Sequence, residues 1–185
     1  ALTGLALAQL ASGDSSKATE VLFEASAADH SRIEADALLV NYYVGRKEYD
    51  RALQVLATIA SKRPGDGRVF IVEGEILSHA GRKAEARAAY ERADELRPDI
   101  LMPLIELGRL DLAEGKQERA RQRFEEASKR RPKDASILLA YADWLHESKA
   151  EPDVVRATVE KAVQLAPDKL ATRLSLIAFH TSRRE

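Results

Sequence analysis

Alanine and proline recur along this chain with a shared period, and that period constrains the fold more than any other feature. Alanine recurs every 34 residues, at Ala18, Ala52, Ala86 and Ala120. Proline keeps the same spacing at positions 64, 98 and 132, and then comes one residue late at 167. A repeat of this length indicates supersecondary units that bury their apolar faces by stacking on one another.

Each unit has two helical stripes of apolar residues. Larger apolar residues lie four positions after the recurring alanine, and further apolar residues lie seven positions after it: Leu22, Leu56, Tyr90 and Phe124, then Ala25, Ile59, Ala93 and Ala127, with Val155, Val159 and Ala162 in a fifth unit. This spacing places the residues on one side of a helix. An earlier stripe, such as Phe70, Gly74 and Leu77, predicts a preceding helix.

Glycine and proline residues between the stripes indicate where the helices end. Gly81 and Gly115 stand between the two helices of their units, where a left-handed residue ends the first helix. Each proline ends a second helix, and Asp99, Asp134 and Asp168 are expected to cap the next one. The predicted helices cover 1–12, 15–28, 32–45, 48–62, 67–79, 82–96, 100–113, 116–130, 135–148, 152–165 and 169–182.

The third and fourth units carry a family signature. The residues concerned are Phe70, Gly74, Ala86, Tyr90, Ala93 and Pro98, then Leu104, Leu107, Gly108, Ala120, Phe124, Ala127 and Pro132. In this pattern and period the chain closely resembles the tetratricopeptide repeat (TPR) family. The second unit departs from the pattern with Val40 at the small-residue position and Ile59 at an alanine position, and the fifth with Val155 at the close-packing alanine position.

The resemblance implies an all-α fold, a right-handed α-solenoid of stacked antiparallel helix hairpins. The expected organisation is a single array over 1–185, with about five repeats at 1–32, 33–66, 67–100, 101–134 and 135–169 and an unpaired helix at 170–182. The sequence starts inside an apolar helical pattern at Ala1, and its last helix is apolar on more than one face. We therefore expect the chain to be a fragment of a longer repeat protein.

Composition excludes several classes of function. Lys and Arg total 29 against 30 Asp and Glu, so no strong net field recruits nucleic acid or an anionic membrane. The four basic residues at 129, 130, 131 and 133 are interpreted as a solvated helix end. No apolar run reaches the roughly 18 residues that a membrane span needs. Absence of cysteine fits a periplasmic or a cytoplasmic protein.

In the TPR family, which this chain resembles, the first helices of the repeats line a concave groove that binds partners. Carried over to this chain, the groove residues are Asn41, Arg68, Ile71, Glu75, His79, Met102, Glu106, Arg109, Asp143 and His146. An apolar lining with sparse charges suits an amphipathic helix or an extended segment. Alternatively, the apolar members pack against neighbouring helices, and Arg109 pairs with Glu106 or Glu75. A carboxylate clamp is disfavoured, because Ala37, Met102 and Glu106 stand where basic residues are needed.

Few residues suggest catalysis or metal binding. Asp143, His146 and Glu147 lie close together on one predicted helix, while His30 and His180 lie near helix ends. No metalloprotease, nucleophile-elbow or phosphate-binding motif accompanies them. We therefore expect no catalytic residue, no metal and no cofactor.

Two functions follow from these expectations. The first is a non-enzymatic scaffold that binds a peptide or protein segment in its groove, without nucleic acid as a partner. The alternative is a structural spacer in a longer periplasmic or envelope solenoid, serving exopolysaccharide export or secretion. The last helix adds a surface for self-association, formed by Leu170, Leu174, Leu176, Ile177 and Phe179.

Overall fold

The structure is a computed structural model that describes residues 2–12, 14–29 and 31–181. Within these ranges, only the backbone is described for Leu10, Ser175, Leu176, Ala178, Phe179 and His180. The described residues form eleven α-helices joined by turns: α1 (Leu2–Ala11), α2 (Ser15–Ala28), α3 (Glu34–Gly45), α4 (Tyr49–Lys62), α5 (Arg68–His79), α6 (Lys83–Leu96), α7 (Met102–Ala113), α8 (Gln117–Arg130), α9 (Ala135–Glu147), α10 (Pro152–Leu165) and α11 (Leu170–Thr181). The predicted all-α fold of consecutive helix hairpins is confirmed.

The chain divides into two compact units, Ala1–Pro98 and Asp99–Glu185. In unit 1, the hairpins are α1 with α2, α3 with α4, and α5 with α6. In unit 2, they are α7 with α8 and α9 with α10, while α11 packs on α10. The division falls next to the predicted boundary between the third and fourth repeats. A single array over 1–185 stays a prediction.

Helix boundaries agree with the predicted ones to within two residues, and the largest differences are at helix starts. Helix α7 begins at Met102 because Leu101, without a side-chain cap, is its N-cap residue. The expected cap at Asp99 is therefore wrong. At α9 the expectation is confirmed, since the Asp134 carboxylate accepts a hydrogen bond from the Ser136 backbone N–H at 3.0 Å.

A left-handed residue separates the two helices of four hairpins. Gly81 and Gly115 have φ values of 75° and 74°, which confirms their predicted role. The same conformation occurs at Lys47 and Lys149, with φ values of 61° and 55°, so the turn repeats every 34 residues even without glycine. Helix α10 starts at Pro152, 35 residues after α8 starts. The one-residue insertion in the fifth repeat therefore follows Lys149.

Replacing Lys149 with glycine is expected to raise the free energy of unfolding by up to about 1 kcal/mol, because glycine adopts positive φ without the clash of a Cβ atom. Gly115→Ala is expected to lower it by about 1 kcal/mol. A Cβ at Gly115 would have no atom within 4 Å, so backbone strain alone accounts for this loss. Urea unfolding followed by circular dichroism measures both changes. Destabilisation of similar size in both variants would contradict the left-handed turn at Lys149.

Two hairpins are closed by an aromatic ring lying over a glycine. A Cβ atom added to Gly74 would lie 2.5 Å from the Tyr90 ring, and one added to Gly108 would lie 2.9 Å from the Phe124 ring. Tyr90 and Phe124 are each 1% exposed. Each ring therefore occupies the volume that its glycine leaves empty.

Helix α11 presents apolar side chains to solvent. Leu170, Leu174 and Ile177 are 70%, 53% and 58% exposed. The Leu176 and Phe179 side chains, part of the same predicted surface, lie outside the described residues. Self-association through α11 stays a prediction. Across the described residues, no helix combines the length and apolarity required to cross a membrane.

Candidate functional site

A cavity of about 630 Å³ opens in unit 2 among α7, α8 and α9. Its lining combines an apolar wall with a polar rim. The lining residues are Arg109, Leu112, Ala113, Gln117, Phe124, Ala140, Asp143, Trp144, His146, Glu147 and Ser148. We refer to this cavity as the unit 2 groove.

Three of the ten predicted groove residues meet in this cavity. Arg109 comes from α7, and Asp143 and His146 come from α9, which packs against α7. All three are exposed. The Arg109 Nη1 atom lies 2.6 Å from Glu106 Oε1. That salt bridge holds the guanidinium at the rim, and it is one of the pairings considered from the sequence.

Stacked aromatic rings lie behind the apolar wall, and two of them, Phe124 and Trp144, line the groove although they are only 1% and 6% exposed. The rings of Phe124 and Trp144 are nearly parallel, with centroids 6.2 Å apart and an interplanar angle of 26°. Tyr141 stacks on Trp144 with centroids 5.3 Å apart and an angle of 10°. Burial raises the pKa of the Tyr141 phenol, and the nearby Glu125 carboxylate adds to that rise. The stack makes this wall rigid, and it is largely buried.

The predicted groove residues do not include this wall. Trp144 is not among the groove positions carried over from the family, and its side chain is only 6% exposed. One signal was available, since Trp144 is the only tryptophan in the chain. Phe124 was assigned to the hairpin core, and it serves both the core and the cavity wall.

Uncompensated acidic groups occupy the rim. Within the part of the chain that the structure describes, the side chains of Asp143, His146 and Glu147 have no hydrogen bond or salt bridge. His146 thus has no partner there that would orient its imidazole for acid–base chemistry. Nor do the described ranges contain a group of three His, Cys, Asp or Glu side chains placed to hold a metal ion. The arrangement is suited to binding a ligand with an apolar part and a positive charge.

Two further predicted residues of unit 2 do not line the groove. Met102 and Glu106 are half-buried on α7, and Glu106 acts through its salt bridge to Arg109. In the basic cluster, Arg130 pairs with Glu126 at 2.6 Å, and Arg131 donates to the Asp99 carbonyl oxygen at 2.5 Å. The cluster thus contributes to local structure at the end of α8.

The predicted residues of unit 1 have different surroundings. Asn41 is exposed on α3, and Glu75 is exposed on α5. The Nδ1 atom of His79 lies 2.8 Å from the Glu75 carbonyl oxygen. Ile71 is 7% exposed and belongs to the core. This burial favours the alternative considered from the sequence, in which the apolar members pack against neighbouring helices.

Arg68 folds back over the start of its own helix. Its Nη2 atom lies 2.6 Å from Asp66 Oδ2. Hydrogen bonds from Arg68 lower the pKa of the Asp66 carboxyl. The guanidinium is therefore engaged locally before any partner arrives. The other two histidines considered from the sequence, His30 and the side chain of His180, lie outside the described residues.

Comparisons with known proteins agree with this architecture. The tetratricopeptide repeat family model matches residues 37–99 and 105–169, more than half of the chain. A tetratricopeptide repeat protein from Thermus thermophilus, TTC0263, has a similar structure, with a TM-score of 0.69, 18% identity and coverage of 97% of both chains. No curated protein matches this sequence.

Two further solved structures share the fold. Pseudomonas aeruginosa pilF has a TM-score of 0.68 and 22% identity, over 99% of this chain and 83% of pilF. YrrB, described as a TPR protein with an unusual peptide-binding site, has a TM-score of 0.62 and 18% identity, over 94% of this chain and 89% of YrrB. The repeat period, the helix hairpins and the family match together show that this chain belongs to the tetratricopeptide repeat family.

Proposed function

We propose that this protein is a non-enzymatic scaffold that binds a segment of a partner protein in the unit 2 groove. One observation carries the proposal. Arg109, Asp143 and His146, from two first helices, converge on a cavity whose wall is aromatic. A volume of about 630 Å³ falls within the range of small-ligand pockets and accommodates one or two side chains of a peptide.

The chemistry of the groove indicates which segment fits. An apolar anchor would lie against the half-buried Leu112 and Ala140, which pack against the core cluster that contains Trp144, since apolar anchors in pockets supply much of the energy of such interfaces. A basic residue next to the anchor would meet Asp143 and Glu147, which have no partner among the described residues. The likeness to YrrB, described as having a peptide-binding site, supports the same kind of ligand.

Charge reversal at the rim tests this proposal. The variant with Arg109→Glu and Asp143→Lys keeps the net charge and alters only exposed side chains. Affinity capture with the full chain identifies candidate segments, which are then synthesised and titrated while Trp144 emission is recorded. Because Trp144 lines the groove and is the only tryptophan, its fluorescence reports on this site. We expect the variant to bind such a segment at least about tenfold more weakly.

A matched control exchanges Asp153→Lys and Arg156→Glu on α10, a salt-bridged pair that does not line the groove. This control should bind like the original protein. Equal binding by the charge-reversed variant and the control would refute the groove and favour the structural spacer, which needs no such rim.

A further inference from the structure

One position in the repeat breaks the pattern of the others. Residues at positions 39, 73, 107 and 141 are equivalent by the 34-residue period, and they are Leu39, Glu73, Leu107 and Tyr141. Leu39 and Leu107 are buried, with 0% and 1% exposure. Glu73 places a carboxylate where those repeats have a buried leucine. A residue that breaks a local rule of the fold marks a candidate functional position.

Glu73 lines a second cavity, of about 640 Å³, in unit 1. The cavity lies among α4, α5 and α6, and none of the predicted groove residues lines it. Its lining residues are Leu53, Leu56, Ala57, Ala60, Val69, Phe70, Glu73, Leu77, Arg82, Glu85, Ala88, Ala89 and Arg92. We call it the unit 1 cavity. Its surface is mainly apolar, with charges of both signs.

Both cations of the unit 1 cavity already have acidic partners. Arg82 lies 2.5 Å from Glu85 and 3.1 Å from Asp50 on α4, and Arg92 lies 2.8 Å from Glu95. Glu73, by contrast, has no hydrogen bond or salt bridge to any residue that the structure describes. It is a half-buried carboxylate facing an apolar cavity without a counter-ion.

Two effects disfavour the charged form of Glu73. Burial raises the pKa of its carboxyl, and the nearby Glu85 carboxylate raises it further. The pKa of Glu85 is lowered by its hydrogen bonds with Arg82, so Glu85 remains charged through the range where Glu73 titrates. The charge of a cation entering the cavity would offset both penalties on Glu73.

We propose that the unit 1 cavity receives a basic side chain, lysine or arginine, from a partner protein segment, with Glu73 as its counter-ion. The aliphatic stem of such a side chain fits the apolar lining near Leu53 and Phe70, while the charged head reaches Glu73. This surface is separate from the unit 2 groove and does not depend on the function proposed for that groove.

An equivalent cavity in unit 2 shows what is specific to unit 1. It lies among α8, α9 and α10, has a volume of about 570 Å³, and is lined by Leu138, Tyr141, Ala157 and Lys161 among others. Those residues follow Phe70, Glu73, Ala88 and Arg92 by two repeat periods, with one inserted residue before α10. Tyr141 replaces Glu73 there. The cavity is a repeated feature, and the unpaired carboxylate at this position distinguishes unit 1.

Two short peptides test the proposal directly. The first is acetyl-Leu-Lys-Leu-amide, and the second has norleucine, a neutral residue of similar shape, in place of lysine. NMR titration of the full chain follows the methyl signals of Leu53 and Leu77 together with the side-chain carboxyl of Glu73. We expect the lysine peptide to shift these signals with at least about tenfold preference over the norleucine peptide, because charge-assisted hydrogen bonds are worth more than neutral contacts.

The affinity for the lysine peptide is expected to depend on pH. Glu73 binds the cation in its charged form, so affinity should rise with pH through the raised pKa of Glu73 and level off above it. Binding should be weak near pH 4, below the usual glutamate value of about 4.3. The preference should disappear in Glu73→Leu, which restores the residue of the neighbouring repeats and is expected to fold.

Glu91→Gln on α6, which is exposed and does not line the cavity, is the matched control and should retain the preference. Equal binding of both peptides, absence of binding by either, or a preference that survives Glu73→Leu would each overturn the proposal. None of these results would affect the unit 2 groove, whose residues all lie outside unit 1.

Discussion

Replacing Lys62 with methionine is expected to lower the free energy of unfolding by about 3–5 kcal/mol. The Lys62 and Asp36 side chains are 5% and 2% exposed, and their charged atoms lie 2.7 Å apart. The Lys62 ammonium also donates to the Ser26 carbonyl oxygen at 3.0 Å and to the Arg32 carbonyl oxygen at 3.3 Å. It thus links α2, α3 and α4. Methionine fills the space of the lysine stem but leaves the Asp36 carboxylate buried beside Ser26 without its counter-ion.

The double variant Asp36→Leu with Lys62→Leu should recover most of this loss. Removing both charges removes the desolvation penalty, and such replacements are often neutral or stabilising. Another repeat already has apolar residues at these two positions, since the equivalent positions in the third unit hold Phe70 and Leu96. Urea unfolding of the two variants measures the difference. If the double variant were less stable than Lys62→Met, the buried pair would be contributing more stability than an apolar contact.

Replacing Gly74 with valine is expected to lower the free energy of unfolding by about 3 kcal/mol, through overpacking against the Tyr90 ring. Tyr90→Leu should cost about 2 kcal/mol by leaving a cavity above Gly74. The double variant should have a free energy of unfolding within about 1 kcal/mol of that of the original protein, because its two side chains reproduce the packing of another hairpin. In the second repeat, Val40 and Leu56 occupy these same two positions, also 16 residues apart.

Thermal and urea unfolding of the four proteins in this cycle give the coupling energy. A coupling of about 3 kcal/mol or more in favour of the double variant is expected, since the two residues fill one shared volume. Additive losses would mean that the ring and the glycine do not compensate each other. Helix α5 would then be positioned by other contacts.

The sequence predicted those parts of the fold that recur in every unit. The alanine and proline periods placed the helices to within two residues, and Gly81 and Gly115 predicted the left-handed turns. The turns at Lys47 and Lys149 escaped prediction because lysine rarely adopts positive φ. There the equivalence of positions in the repeat was a stronger guide than the preference of the residue itself.

Features that depend on a single unit were not predictable from the period. Asp36 and Lys62 are 26 positions apart, and no sequence motif indicates that they form a salt bridge. The family pattern does not single out Glu73, whereas the neighbouring Gly74 fits that pattern. Ile71 was assigned to a binding surface from its position in the repeat, whereas packing within unit 1 buries it. Of the predicted groove, Arg109, Asp143 and His146 lie together in one cavity.

Photo-crosslinking from position 113 tests the proposed partner binding most directly. A photoreactive amino acid replaces Ala113, an exposed residue that lines the unit 2 groove, and a second protein carries it at Arg119, an exposed position on α8 outside the groove. Mass spectrometry then identifies the crosslinked segments. Our account predicts that position 113 crosslinks to one contiguous partner segment with an apolar and a basic residue, and that position 119 does not. The same products at both positions, or none at position 113, would contradict it.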